Sequence, residues 1–277
     1  MTVDTSEADA RFKKWMRENL TRAAEHFGLV VSGEPVLGWV DRSISAPVRK
    51  DGSDYWLRVV SEDKQWIGGN FWTGNLDANV FDGLAKPRVL DVFEWEEWRQ
   101  QRAEVMTRMP GTPCSLTDAL RVAVDLSDQW WAELRRTVDT VAATSTTRVN
   151  SGPDKLAERL VQRFGDVVDV TAAEWETVHG DLHWANLFGP RFGLLDWEMW
   201  GRGLKGSDAA TLLCYSLLVP DVAERVRAVF ADVLDTSAGR VAQLYVVARL
   251  RRRVDGGEYP DLAGPLDRLT SSLLVDW

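Results

Sequence analysis

The chain has 277 residues, of which 45% are hydrophobic and 27% are charged, and its formal net charge is −9. This composition is typical of a folded globular protein and excludes a disordered or fibrous chain. The negative charge argues against general binding to nucleic acid, which requires a basic surface, and it weakly favours a cationic substrate.

The two cysteines and the amino-terminus indicate the cellular compartment. Cys114 and Cys214 lie far apart and form no CxxC pair, so a reducing environment is expected. Residues 1–15 are polar and acidic, without the apolar core of a signal peptide. The longest apolar run, residues 209–219, is too short to span a bilayer. We therefore expect a cytoplasmic protein with no membrane partner.

The first third of the chain has the pattern of a small sheet. Apolar residues recur at helical spacing over residues 5–27, and alternating segments then predict strands. Asp51-Gly52 separates two of these segments and predicts a hairpin. Residues 62–84 are broken by glycines, so a helix there is only weakly indicated. Two further strands are predicted in residues 87–109, which completes a largely antiparallel sheet.

The pattern becomes helical after the break PGTPCS at residues 110–115. Apolar residues at helical spacing predict helices in five segments. These segments are residues 116–143, 152–165, 207–218, 222–234 and 238–254. A β-rich part followed by a helical part predicts an α+β protein of two lobes. We place the amino-terminal lobe at residues 1–108 and the helical carboxy-terminal lobe at residues 109–277.

The stretch VHGDLHWANLFGPRFGLLDWEMW, residues 178–200, holds two of the three histidines. In an extended segment His179, Asp181 and His183 would share one face and could together bind zinc or iron. Such a site needs another ligand or an open position, and the remaining histidine, His26, lies in the predicted first helix.

Phosphoryl transfer is the alternative chemistry for the same stretch. It requires a carboxylate that orients the acceptor hydroxyl, and oxygen ligands for magnesium at the phosphates. Asp181 and Asn186 are five residues apart, as are the carboxylate and amide of kinase-type catalytic loops. A predicted strand, a Gly-Pro turn and a second strand then lead to Asp196. Asp181, Asn186 and Asp196 thus match the base and the two metal ligands of such a site in the expected chain order, which favours phosphoryl transfer over a zinc site.

The motif HGDLHxxN followed by LDWE resembles the aminoglycoside phosphotransferase-like kinases, which include antibiotic and choline kinases. VMTRMPGTP at residues 105–113 resembles the hinge of this family, and GSDAATLL at 206–213 resembles the helix that braces its catalytic loop. The resemblance implies a bilobal protein-kinase-like fold with a small β-rich lobe that binds nucleotide and a larger helical lobe. It also implies ATP or GTP as co-substrate, Mg²⁺ as cofactor and a small-molecule hydroxyl acceptor.

The resemblance also implies roles for individual residues. Asp181 would be the catalytic base, and Asn186 and Asp196 would bind magnesium. His179 and Asp208 would support the loop structurally. The carbonyl of Thr107 and the amide of Met109 would contact the purine.

The first lobe departs from the pattern of the family. The usual phosphate-binding lysine is replaced by Arg58 in YWLRVV, and Lys50 is the alternative. The partner glutamate of that lysine is not evident, although Glu62, Asp63 and Asp77 follow in sequence. The expected phosphate loop contains one glycine, Gly38, so backbone amides and the hydroxyl of Ser43 or Ser45 would have to bind the phosphates.

Several residues near the motif are candidates for contact with the acceptor. Glu198 and Trp200 are predicted to bind the substrate, and Trp184 could also stack on it, although core packing is the alternative for each tryptophan. The basic run RLRRRV at residues 249–254 is interpreted as a solvated face, with an anion-binding patch as the alternative.

These residues together predict a kinase that phosphorylates a hydroxyl of an antibiotic or related natural product, in the manner of a resistance enzyme. The alternatives are a metabolic kinase for choline, a sugar or an amino alcohol, and an inactive nucleotide-binding pseudokinase. No nucleic-acid partner is expected, and the protein would be a monomer or a homodimer.

Overall fold

A computed structural model describes residues 5–275, without the side chains of residues 5 and 6. The chain divides into two compact units. The first holds the described residues up to Asn79 together with Pro87–Met109, and the second holds Val80–Lys86 and the described residues from Pro110 onward. No helix in the described range is both long enough and apolar enough to cross a membrane.

The first unit consists of a sheet, one long helix and a short helix that lies between the fourth and fifth strands. Its elements are α1 (Thr5–Phe27), β1 (Val30–Val31), β2 (Val36–Leu37), β3 (Ser43–Lys50), β4 (Ser53–Glu62), α2 (Gly74–Asp77), β5 (Val89–Glu96) and β6 (Gln100–Thr107). The strands pair antiparallel in the order β1-β3-β4-β6-β5, and β2 also pairs with β3. The predicted antiparallel sheet is confirmed.

Helix α1 covers one face of this sheet. Met16 and Leu20 are buried at helical spacing and join a core with Ile44, Leu57 and Ala103 of the strands. Burial of such side chains contributes roughly 1.5–3 kcal/mol each and fixes the helix on the sheet.

The hairpin between β3 and β4 turns where the sequence predicts it. Asp51 has φ of 49° and Gly52 has φ of 77°, and both values lie in the left-handed region. Two consecutive left-handed residues are typical of the type I′ turn, whose twist matches that of the strands. After Glu62, the last residue of β4, residues 63–84 contain only α2 and short 3₁₀ turns as regular structure, because their glycines interrupt any longer helical pattern.

The second unit is mainly helical and contains short strands. Its elements are β7 (Thr112–Pro113), α3 (Asp128–Ala142), α4 (Pro153–Phe164), β8 (Trp175–Val178), β9 (Leu187–Gly189), β10 (Gly193–Leu194), β11 (Gly201–Leu204), α5 (Ser207–Ser216), α6 (Pro220–Val229), α7 (Ala231–Leu234), α8 (Ser237–Asp255) and α9 (Ala263–Leu274). The strands form the antiparallel sets β10-β9-β7 and β11-β8. The predicted α+β class is confirmed.

The helix predicted over residues 116–143 is wrong in its first half. Helix α3 begins at Asp128, where the hydroxyl of Ser127 accepts a hydrogen bond from the amide of Trp130. Before this cap the backbone bonds to other elements, and the amide of Leu120 donates to the carbonyl of Tyr215. Tertiary hydrogen bonds therefore override the apolar periodicity of residues 116–127.

Candidate active site

The catalytic-loop motif lies in the second unit, between β8 and β9. Strand β8 is paired with β11 and β9 with β10, so both ends of the loop are fixed by sheet hydrogen bonds. Within the loop, Trp184 is fully buried, its indole Nε1 donates to Oγ of Ser216 at 2.9 Å, and its ring is nearly parallel to that of Trp130. Trp184 therefore packs in the core and anchors the loop.

Asp208 holds the beginning of the loop. It lies in the first turn of α5, and its carboxylate accepts hydrogen bonds from the amides of His179 at 2.6 Å and Gly180 at 2.9 Å. Burial raises the pKa of Asp208 to about 6, although the two N–H groups favour the carboxylate. The aspartate of the GSD motif thus binds the backbone amides of the first two residues of the HGD motif.

Gly180 occupies a position that tolerates no larger residue. Its φ of 85° is left-handed, and an added Cβ would lie 2.8 Å from the carbonyl oxygen of Met199 and 2.3 Å from the side-chain nitrogen Nδ2 of Asn150. A side chain would therefore meet both backbone strain and a steric clash.

Gly180→Ala should lower the free energy of unfolding by about 2–4 kcal/mol, from the left-handed backbone and the clash together. Gly52→Ala is the matched control, since Gly52 has a similar φ of 77° but nothing within 4 Å of an added Cβ. Urea unfolding of both variants should give the larger loss for Gly180→Ala. Equal losses would show that the clash at the loop is absent.

His179 connects the loop to the segment before Asp196. Its Nε2 donates to the carbonyl of Leu195 at 3.1 Å, and its Nδ1 accepts from the amide of Asp181 at 3.3 Å. These two bonds define a neutral ring with its proton on Nε2. Burial lowers the pKa of His179 to about 4, so the ring stays neutral at physiological pH.

The lowered pKa of His179 predicts a loss of stability in acid. Between pH 6.5 and about 4 the unfolded chain binds a proton at this residue and the folded chain does not. Stability therefore falls as the pH decreases through this range, by about 3 kcal/mol from His179 alone. Asp208 acts in the opposite direction over part of the range, because its pKa is raised.

The loss of stability in acid is measured by comparing the free energy of unfolding of the wild type with that of a variant without His179. Urea unfolding at several pH values, with the wild type and His179→Gln, should give a steeper acid loss for the wild type. Parallel stability curves for the two proteins would mean that His179 titrates normally.

Asp181 lies at the centre of a small polar cluster. Its Oδ2 accepts from Nε2 of His183 at 3.2 Å, and Nδ2 of Asn186 donates to its carbonyl at 3.0 Å. Burial opposes ionisation of Asp181, but the hydrogen bond and charge of His183, with the charge of Arg249, lower its pKa to about 2. Burial also favours neutral His183, whereas its bond to Asp181 raises its pKa overall. Asp181 is thus an ionised carboxylate with a fixed orientation.

Backbone pairing brings Asn186 and Asp196 together. Leu187 of β9 is paired with Leu194 of β10, and the amide of Leu195 donates to the carbonyl of Asn186 at 2.9 Å. Asp196 follows directly, is exposed, and has φ of 60°, which is unusual for a residue other than glycine. Its charge also contributes to the raised pKa of His183, which contacts Asn186 at 3.1 Å.

The donor groups at this position suit magnesium. Asn186 is 8% exposed, its amide nitrogen is bound to Asp181, and in residues 5–275 no group donates a hydrogen bond to its Oδ1. An amide oxygen and the carboxylate of Asp196 are hard oxygen ligands, which magnesium prefers when phosphates complete its coordination.

The geometry does not form a zinc site from the same motif. Nε2 of His179 is directed at a backbone carbonyl, whereas that of His183 is directed at Asp181. Among the described residues, no group of three or more His, Cys, Asp or Glu side chains could hold a metal ion. His26 stacks on Phe93 in the first unit, with ring centroids 3.6 Å apart.

The predicted substrate residues Glu198 and Trp200 are both buried. Arg148 donates to the backbone carbonyls of both residues, and its guanidinium lies 4.8 Å from the ring centroid of Trp200. Phe81 contacts the same ring edge to face. Trp200 is therefore a packing residue in this structure, and contact of this pair with an acceptor stays a prediction.

The predicted phosphate-binding residues share one face of the sheet in the first unit. Arg58 is paired with Ser45, and Ser43 is paired with Val60, two residues along β4. The alternative cation, Lys50, lies at the hairpin end and donates to the carbonyl of Phe27. The face that holds Arg58 is opposite the one covered by α1, because side chains alternate along a strand.

Arg58 has an acidic neighbour that the sequence analysis missed. Glu104 of β6 lies opposite Arg58, is 1% exposed, and approaches its Nη1 at 3.7 Å. Arg102 and Asn75 also donate to this carboxylate, at 2.9 and 3.0 Å. The signal in the sequence was a charged pair inside the buried strand QQRAEVMT. Of the three acids considered, Glu62 pairs with Arg42 and Arg99.

The other two acids bond locally. Asp63 accepts from the amide of Gln65, and Asp77 accepts from the hydroxyl of Thr73. In the hinge segment, Thr107 ends β6 and exchanges hydrogen bonds with Arg88 through its amide and hydroxyl. Met109 is the last residue of the first unit.

No family model and no curated protein matches the sequence. Among solved structures, a thermostable mutant of aminoglycoside phosphotransferase APH(4)-Ia matches with a TM-score of 0.59 and 16% identity, over 92% of this chain and 98% of that one. The chain therefore has the fold of aminoglycoside phosphotransferases, and the predicted resemblance is confirmed at the level of fold.

Two other solved structures match in the same way. Spectinomycin phosphotransferase APH(9)-Ia, solved with ADP and spectinomycin, gives a TM-score of 0.54 at 11% identity, over 90% of this chain and 88% of that one. Amicoumacin kinase hAmiN, solved with AMP-PNP, Ca²⁺ and Ami, gives 0.53 at 14% identity, over 93% of this chain and 92% of that one. At these identities the likeness establishes the fold.

Proposed function

We propose that this protein is a small-molecule phosphotransferase that moves the γ-phosphate of ATP or GTP to a hydroxyl of an antibiotic or related natural product. One observation carries the proposal. The carboxylate of Asp181 is ionised and oriented by His183, and the backbone carbonyl of Asp181 accepts a hydrogen bond from Asn186. The backbone pairing of β9 with β10 brings Asp196 next to Asn186. Phosphoryl transfer requires a base and two oxygen ligands of this kind.

Asp181 orients the acceptor hydroxyl and receives its proton as the new oxygen–phosphorus bond forms and the bond to the β-phosphate oxygen breaks. Asn186 and Asp196 would hold magnesium, which neutralises charge on the phosphates when bound. Arg58 and Ser43 would bind phosphate oxygens, and Thr107 and Met109 would contact the purine. Glu198 and Trp200 stay the proposed residues on the acceptor side.

The similar proteins support an antibiotic as the acceptor. The three matched enzymes are named for antibiotics, and their structures include complexes with ADP or AMP-PNP, one of them with Ca²⁺. We transfer nucleotide and divalent-metal use to this chain on the strength of the shared fold and of the oxygen ligands at Asn186 and Asp196.

A nucleotide-binding pseudokinase is the second candidate. The replacement of the usual phosphate-binding lysine by Arg58 favours it, as does the single glycine, Gly38, of the expected phosphate loop. The ionised and oriented Asp181 favours an active kinase.

A phosphorylation screen tests the proposal and separates the two candidates. The purified protein is incubated with aminoglycoside, peptide and nucleoside antibiotics, with ATP or GTP and Mg²⁺, and products are detected by mass spectrometry. Nucleotide binding is measured in parallel by thermal shift with and without Mg²⁺. We expect at least one phosphorylated acceptor. Nucleotide binding without any product would favour the pseudokinase, and neither binding nor product would contradict both.

A further inference from the structure

A second polar cluster lies beside the catalytic loop, around Asp118 in the non-helical segment 116–127. One carboxylate oxygen, Oδ2, accepts three hydrogen bonds, from the hydroxyl of Tyr259 at 2.7 Å, Nη1 of Arg253 at 3.2 Å and the hydroxyl of Tyr215 at 3.3 Å. Arg253 belongs to the basic run RLRRRV, so that run is not a uniformly solvated face.

The other oxygen of Asp118 is directed toward the catalytic base. Oδ1 lies 3.8 Å from Nε2 of His183, and the same nitrogen lies 3.2 Å from Oδ2 of Asp181. The two carboxylates are therefore separated by about 7 Å at most. Within residues 5–275 no group donates a hydrogen bond to Oδ1, and the side chain of Asp118 is 24% exposed. Oδ1 thus accepts no hydrogen bond among these residues, has His183 as its ionic neighbour and lies within about 7 Å of the carboxylate of Asp181.

The position of Asp118 is fixed by the loop and by α5. Its carbonyl accepts from the amide of Trp184 at 3.2 Å, and two residues later the amide of Leu120 donates to the carbonyl of Tyr215 at 2.9 Å. A carboxylate held in this way loses little conformational freedom when a ligand binds, which increases the selectivity of the contact.

The local charge favours a hydrogen-bond donor on the ligand. The cluster contains the carboxylates of Asp118, Glu258 and Asp261 and the guanidinium groups of Arg121 and Arg253, so it carries one net negative charge. Arg253 is shared between Asp118 and Glu258, which leaves Asp118 incompletely neutralised. An ammonium or a hydroxyl group would complete the hydrogen bonding of Oδ1.

We propose that Asp118 determines acceptor specificity, because its Oδ1 binds a hydrogen-bond donor of the acceptor close to the hydroxyl that Asp181 orients. The proposal rests on the proposed phosphotransferase function. The acceptor therefore carries an ammonium or a second hydroxyl group near the phosphorylated position, and a molecule that lacks such a donor is a poor substrate.

The test uses steady-state kinetics of Asp118→Asn with two acceptors from the screen, one with an amine near the modified hydroxyl and one with only hydroxyls. The acceptor KM should rise on the order of tenfold or more for the amine and several-fold for the other, as expected for charged and neutral hydrogen bonds. The KM for nucleotide and kcat should change by less than about twofold. Asp118→Glu, which keeps the charge for Arg253, is the second variant and should also raise the acceptor KM.

Asp255→Asn is the control. Asp255 is an exposed carboxylate on α8 that pairs with Arg163 and Arg251, outside the cluster. If Asp118→Asn behaves like this control with every acceptor, Asp118 does not contact the acceptor and the proposal is overturned. If kcat and the nucleotide KM deteriorate together with the acceptor KM, Asp118 is only a structural brace, which also overturns the proposal. If the wild type phosphorylates no acceptor, the proposed function fails and this proposal fails with it, which is a distinct outcome.

Discussion

Asp181→Asn should lower the rate of phosphoryl transfer by about two to four orders of magnitude, the usual contribution of a positioned base. The variant removes the proton acceptor but keeps a side chain of the same shape next to His183. Its effect should appear in kcat, whereas the dissociation constant for nucleotide should change little. Transfer rates measured at saturating acceptor, with nucleotide binding measured by calorimetry, separate the two quantities.

Asp154→Asn provides the control for this variant. Asp154 is an exposed carboxylate in the first turn of α4 and has no part in the loop. Its substitution should leave the transfer rate near that of the wild type. If Asp181→Asn retains more than about a tenth of the activity, the base lies elsewhere.

Asp208→Ala should be the most destabilising single change near the site, at about 2–5 kcal/mol. The substitution leaves the buried amides of His179 and Gly180 without their acceptor, and each unsatisfied group costs about 1–3 kcal/mol. Because these amides position Asp181, we also expect phosphoryl transfer to fall below detection. Urea unfolding and transfer assays of the same preparation measure both effects.

Asp221→Ala is the matched control for Asp208→Ala, because Asp221 is an exposed aspartate in the first turn of α6. Its loss should cost less than about 1 kcal/mol, the contribution of a charge at a helix amino-terminus. Similar losses for the two variants would mean that Asp208 contributes only to its own helix and does not hold the loop.

Local sequence patterns predicted those features that depend on few residues. The hairpin at Asp51-Gly52 follows from the conformational preferences of the two residues at the turn. The spacing of Asp181, Asn186 and Asp196 could be read directly, because one loop and two short strands connect them. In each case the residues that determine the geometry are close in sequence.

Features that depend on distant residues were not predictable in this way. Residues 116–127 have a helical pattern, yet hydrogen bonds to α5 and α8 hold them in another conformation. Glu104 and Arg58 are 46 positions apart in sequence and meet only through the register of β4 with β6. Asp118 likewise accepts hydrogen bonds from Arg253 of α8 and from Tyr259, which follows α8 in the chain. A pattern within one segment carries no information on such partners.

The structure also shows which tryptophans are buried and which are exposed, and the composition of the sequence does not predict this difference. Trp184 and Trp200 lie close to the catalytic loop in sequence, and both are buried in the second unit. Trp39 and Trp66 lie far from the loop in sequence, and both are largely exposed. Proximity to a motif in sequence is therefore a poor guide to which aromatic side chain is available to a ligand.

The most direct test of the central claim follows the γ-phosphate itself. ATP or GTP labelled at the γ-position is incubated with Mg²⁺, the acceptor panel and the wild-type protein, and the label is traced to nucleotide, inorganic phosphate or acceptor. We predict that label moves to an acceptor hydroxyl and that Asp181→Asn prevents this transfer. Label that stays in the nucleotide with every acceptor, or that reaches an acceptor equally with Asp181→Asn, would contradict the account.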